Sequence, residues 1–249
     1  MKTKLIAVAA AAVITGCGGG GGSSDTPAAA APSPSAEGQY IGLTSDNRTI
    51  TATVLDTGKV YVQYGVAGRP DVIAGVVAGN VTSSNGTLNN GTGIDYNLEG
   101  QGTNPVTITG TYSAKKSLDA TVTYSNSAKT TANLTYDTSY DTTPTAAAVT
   151  GSYSGTSAVA AGTDAVTLTV DGSGNVSGQG TACRFTGSLR PHASGNVYDI
   201  ALTFSGDSGC AYPNTTASGI ALLSSSQKVV HAMLHTPSNA GILFLGTKS

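Results

Sequence analysis

The chain has 249 residues, of which only 10% are charged, and a formal net charge of −2. It carries no basic stripe, which argues against nucleic acid as a partner. Its polar residues are mostly Thr, Ser, Asn and Gly, a composition seen in exposed β proteins rather than helical ones.

In chain order, the first feature is an export signal. Lys2 and Lys4 form a short basic start, and Leu5 to Thr15 is a run of Ala, Val, Ile and Leu closing on small residues. This run is too short for the roughly 20 residues a spanning helix needs, so it reads as a secretory signal peptide. The residues Ile14-Thr15-Gly16-Cys17 resemble the bacterial lipobox, in which a peptidase cuts before a cysteine already acylated on its thiol. The resemblance implies a signal peptide over 1–16 and lipidation at Cys17. Each buried methylene is worth about 0.8 kcal/mol, so several acyl chains anchor a protein where one binds only marginally. Gly18 follows the cysteine, and the aspartate that commonly retains lipoproteins at the inner membrane is absent. For a Gram-negative cell the resemblance therefore implies the outer membrane.

Residues 17–36 contain no side chain larger than Asp or Pro. With nothing to bury, such a segment cannot offset the entropy of ordering and is expected to be a tether. Gly/Ser-rich coil of this length reaches roughly 25 Å, enough to clear a headgroup layer.

The roughly 213 residues that follow suit two domains, 37–143 and 144–249. Thr49–Leu55 and Lys59–Tyr64 alternate at period two around Asp56-Thr57-Gly58, a hairpin signature. Val166–Val170 and Asn175–Ser177 repeat it around Asp171–Gly174. Gly38–Gly42 and Gly151–Gly155 both fit G-x-Y-x-G at an offset of 113, and Gly58 and Val60 match Gly174 and Val176 at an offset of 116. The near-constant offset predicts a duplicated domain. The boundary falls in Asp141–Ala148, which has a proline, little to bury and no alternation.

Within the first unit, Thr111-Tyr112, Thr123-Tyr124 and Thr135-Tyr136 recur every 12 residues, which predicts a three-strand antiparallel meander. Tyr112 and Tyr136 then fall near one end of the sheet and Tyr124 near the other. No connection carries the helical pattern that a parallel sheet needs. The expected fold is all-β: two small antiparallel barrels, or sandwiches, after the tether. Closure into barrels would remove the exposed edges of strands rich in Thr and Val.

Chemistry is harder to find. With Cys17 assigned to lipid, Cys183 and Cys210 remain as a pair, and an exported chain predicts a disulfide between them. Closing a loop of about 28 residues is worth on the order of 3–4 kcal/mol. A metal site would want more thiolate or imidazole ligands nearby. Gly206-Asp207-Ser208-Gly209 resembles the nucleophile motif of chymotrypsin-like proteases. It continues as Cys-Ala rather than Gly-Pro, however, and no histidine precedes His192 to serve as the upstream base. His231 and His235 would share a helix face, but Val229–His235 reads as a strand, where four residues span about 13 Å and cannot share one ion. No paired carboxylates stand out. The expectation is a protein without catalytic residues, cofactor or metal.

Taken together, a lipobox cysteine, polyglycine, an Ala/Pro/Ser tether and Gly/Thr-rich β domains resemble the surface lipoproteins of Gram-negative bacteria, including the transferrin-binding and factor-H-binding lipoproteins. Gly241–Lys248 is loosely similar to the glycine-aromatic-glycine-lysine strand on which their barrels close. The resemblance implies a non-enzymatic outer-membrane lipoprotein that binds a protein or other ligand at the cell surface. A structural or adhesive envelope component, or a periplasmic inhibitor or accessory factor of an envelope enzyme, are the alternatives.

Overall fold

A computed structural model describes residues 34–100, 102–224 and 226–249. The signal peptide, Cys17 and the tether up to residue 33 lie outside the described residues. The first barrel is formed by β1 (Gly38–Thr44), β2 (Thr49–Val54), β3 (Lys59–Val66), β4 (Arg69–Ser84), β5 (Thr87–Asn97), β6 (Gly102–Ser113), β7 (Ser117–Tyr124) and β8 (Lys129–Tyr136). A 3₁₀ turn at Thr138–Asp141 and α1 (Ala146–Val149) follow. The second barrel is formed by β9 (Gly151–Val159), β10 (Gly162–Val170), β11 (Asn175–Gln179), β12 (Cys183–Pro191), β13 (Tyr198–Gly206), β14 (Thr216–Leu223), β15 (Val229–His235) and β16 (Gly241–Lys248).

Each barrel is up-and-down and antiparallel, and each closes, β1 on β8 and β9 on β16. Closure leaves neither sheet an unpaired edge. The strands alternate as the pleat requires: in β13 Tyr198, Ile200, Leu202 and Phe204 are buried and the residues between them exposed. The meander over β6, β7 and β8 forms in register, with Tyr112 beside Leu118 at one end and Val106 beside Tyr124 at the other.

The local geometry of the two barrels matches at the positions the sequence pairs. Tyr40 donates from its hydroxyl to the carbonyl of Ala36 at 3.1 Å, and Tyr153 to that of Val149 at 2.9 Å. Gly58 and Gly174 both take the left-handed conformation, at φ 79° and 72°, which a glycine adopts without strain. Their carbonyls accept from Val81 and Leu189 at 2.8 Å in each barrel. The change of offset from 113 to 116 has a structural source. Gly38 pairs with Val54 but Gly151 with Val170, because the β9–β10 hairpin is three residues longer.

Some strands break the alternation. Val60, Tyr61 and Val62 are all buried, as are Val76 with Val77 and Ala232 with Met233 and Leu234. These strands bury both faces, one inside their own barrel and one against the other barrel. Ile220, Met233 and Leu243 of the second barrel join the core cluster of the first. Gly241 lies against the Tyr96 ring, and the gap between Tyr96 and Gly241 is about 10 Å³, while a cleft of about 240 Å³ opens farther along between Tyr61 and Ile220. Pro34–Ala36, placed by sequence in the tether, also packs: Ala36 is fully buried and Tyr112 donates to the Pro34 carbonyl at 2.8 Å. An alanine small enough to sit under Tyr40 explains why a segment without bulky residues is held there.

Candidate functional site

The second barrel contains an apolar cavity of about 470 Å³. Eight strands give a lumen just wide enough either to be filled by side chains or to hold one small ligand. Here Leu168, Phe185, Leu202, Phe204, Leu234 and Phe244 line the wall. Its mouth lies at the end bearing the β9–β10 and β11–β12 turns and the β13–β14 loop, framed by Gly162, Asp164, Gly180, Thr181, Cys183 and Tyr212. The opposite end is stoppered. Val149 is fully buried beneath Tyr153, whose hydroxyl bonds back to it. Tyr198 donates to the Thr145 carbonyl at 3.2 Å, and Lys248 donates to the Ala148 carbonyl at 3.1 Å. The volume falls in the range of small-molecule pockets, and a wall this apolar holds water poorly.

Register explains why one barrel is hollow. In the first barrel Val62 pairs with Val77, and Val77 with Asp95. In the second, Gly178 pairs with Phe185, and Phe185 with Phe204. A Cβ on Gly178 would lie 2.4 Å from the Phe185 ring, so the glycine is what seats the ring flat on the wall. Two residues beyond Val62 the first barrel has Tyr64, whose ring lies over Gly75 of β4 and whose hydroxyl reaches Asp95 of β5; two beyond Gly178 the second has Gly180.

That tyrosine anchors a polar plug in the first barrel. Asp95 is 2% exposed and accepts from Tyr64 at 2.7 Å and from Tyr124 at 3.1 Å. Asn97 donates to the Tyr64 hydroxyl at 3.3 Å. The Arg48 guanidinium lies 5.9 Å from the centre of the Tyr64 ring and pairs with Glu99 at 2.8 Å. Burial pushes the Asp95 carboxyl up against the lowering effect of its two tyrosine donors. Burial and the neighbouring Asp95 raise Tyr124 to about 12 and Tyr64 further still, so both hydroxyls keep their protons as donors.

Cys183 and Cys210 are joined in a disulfide, with Cα atoms 4.7 Å apart. It ties the β13–β14 loop to the rim of the cavity, so the cysteine pair found by subtraction frames the mouth. The Gly206–Gly209 string belongs to this same loop, where Asp207 is used in a turn, accepting from the Gly209 amide at 3.0 Å. His231 and His235 lie in a strand, as expected, and neither joins a metal-ligand cluster among the described residues. His231 meets Gln63 of the first barrel at 3.2 Å, and burial lowers its pKa.

His192 was not singled out by the sequence, although it bridges the barrels. Its Nδ1 lies 2.9 Å from Asp199 and its Nε2 3.1 Å from Asp56 in the first barrel. Burial, the largest single effect, lowers its pKa, but the two carboxylates together outweigh this and leave it raised. Ser194 and Tyr140 both donate to Glu37 beside it.

No protein-family model and no curated protein matches the chain. Among solved structures it is similar to a Bacteroides fragilis protein provisionally assigned to the outer membrane, with 16% identity over 86% of this chain and 98% of that one and a TM-score of 0.29. It is also similar to the isotype 1 transferrin-binding protein B of serogroup B Neisseria meningitidis, with 12% identity, 81% of this chain covered and a TM-score of 0.33. The chain spans 58% of that protein's length. At these scores the likeness carries no inference about ligand or partner.

Proposed function

We propose that this chain is a non-enzymatic outer-membrane lipoprotein, held by acyl chains on Cys17 and built from a duplicated barrel, whose second barrel binds a small apolar ligand. The observation that carries the ligand-binding part is the hollow lumen of about 470 Å³ beside a first barrel whose lumen is plugged. The anchor and the surface location rest on the lipobox-like Ile14–Cys17 and the tether that follows. Binding in the lumen is tested by fluorescence titration with N-phenyl-1-naphthylamine, an uncharged dye that brightens in apolar surroundings. The full mature chain is expected to bind it with one site, and Ala232→Phe, which places a ring in the lumen, to lose it. The anchor is tested by fractionation: Cys17→Ala should move the chain out of the membrane fraction, and protease shaving of intact cells should degrade the wild-type chain.

One observation favours a protein partner as well. Ile41 and Leu43, on the outer face of β1, are 45% and 50% exposed and are the large apolar side chains left uncovered among the described residues. Because both sheets close, an adhesive or structural role would use the outer faces of the barrels rather than strand edges.

A further inference from the structure

We infer that the lumen of the second barrel selects hydrocarbon chains carried on an uncharged head, and discriminates against carboxylates of the same chain length. This rests on the reading of the lumen as a ligand site.

The charged residues around the mouth decide the selectivity. Among the described residues Asp164 is the one charged side chain lining the cavity, and no described Lys, Arg or His contributes to its wall. Thr181 holds this carboxylate from both its amide, at 2.8 Å, and its hydroxyl, at 2.6 Å. Asp207, in the loop closed by the disulfide, is engaged in its own turn. Arg184 is exposed, on the face of β12 opposite to that of Phe185, so its guanidinium is not aimed into the lumen.

A chain entering at the mouth would leave its head group at the level of Asp164 and Thr181. A carboxylate placed there meets a fixed like charge with no cation to compensate it, beside a wall that strips away water. A hydroxyl or ester brings no charge to that level, and a hydroxyl can donate to the Asp164 carboxylate. Farther in, the wall offers only Val, Leu, Ile, Ala and the rings of Phe and Tyr. Binding there grows with the apolar area removed from water.

Two sources supply such a chain: free neutral lipid, and the chain's own acylated Cys17, whose acyl linkages are uncharged. The chemistry of recognition is the same for both.

The test is displacement of N-phenyl-1-naphthylamine from the full mature chain carrying Cys17→Ala, with decanol and decanoate as competitors at pH 8. Decanol is expected to displace the dye at a concentration at least about tenfold lower than decanoate. Affinity in the series octanol, decanol, dodecanol should rise by up to about fourfold per methylene until the lumen is full. Asp164→Asn should narrow the gap by strengthening decanoate and leaving decanol unchanged. Equal displacement by decanol and decanoate, with the dye bound, would overturn the selectivity while leaving the lumen as a ligand site. Failure of the dye to bind would overturn both. Comparing the acylated chain in nanodiscs identifies the source: undiminished dye capacity assigns the site to free lipid, and lost capacity to the chain's own acyl group.

Discussion

The two barrels share strand number, closure and local devices, yet their interiors differ in kind. The first holds Asp95 between two tyrosines at one end and Tyr40 with Tyr136, rings 5.6 Å apart at 74°, toward the other. The second has Phe185 and Phe204, 5.7 Å apart, on its wall and open space between them and the opposite strands. Phenylalanine can line a cavity because it has no hydroxyl to satisfy, whereas each buried tyrosine must reach a partner and so pulls the interior closed. The same scaffold thus yields a plug or a pocket according to whether the inward positions carry Tyr and Asp or Phe and Gly.

This contrast can be broken from either side. The largest effect is expected from the disulfide, which belongs to the hollow barrel alone. Cys183→Ser should lower the stability of the second barrel by about 3 kcal/mol. Hydrogen exchange resolved by peptide should show β12 to β14 opening before β5 to β7. Uniform loss of protection would mean that the apolar seam couples the barrels into one cooperative unit.

In the first barrel, Asp95→Ala should cost about 2–3 kcal/mol, because both tyrosine hydroxyls lose their buried acceptor. The pH dependence has a definite sign. Burial raises the Asp95 pKa, so the folded state binds more protons than the unfolded one above the ordinary value of 3.8. Stability therefore falls as pH rises through that window. Asp95→Asn retains an acceptor and should flatten this fall in urea titrations followed by circular dichroism.

Filling the pocket sharpens the contrast at little cost in stability. Ala232→Phe should change stability by no more than about 1–2 kcal/mol in either direction, because the ring enters space already present. A larger loss would mean that the lumen is closed in solution.

The smallest effect is expected at the bridge between the barrels. The raised His192 pKa gives a contribution fully present below the ordinary value of 6.5 and lost as pH rises through the raised value. His192→Ala should remove this pH dependence at a cost below about 1 kcal/mol, since both carboxylate partners are more than a third exposed.

Much of this architecture was legible in the sequence. Period-two alternation, the glycine turns and the 12-residue tyrosine spacing each report a local property of a strand or turn, and each appears in the fold. The seam was not read, because Val60–Val62 and Ala232–Leu234 depart from alternation only through contacts more than 150 residues apart, although the unbroken apolar runs were a usable sign of two-sided burial. The pocket left a signal as well: all three phenylalanines lie after residue 150, whereas eight of the 11 tyrosines lie before it. His192 carried none, since Asp56 and Asp199 reach it only once the barrels are packed.

The central claim, that one barrel is hollow and the other filled, is tested most directly by diffraction from a crystal held under xenon, which enters apolar cavities and leaves packed or polar interiors empty. The expected result is xenon density in the second barrel among Leu168, Phe185, Phe204 and Phe244, and none between Tyr64 and Tyr124 in the first. An empty second barrel, or equal density in both, would contradict it.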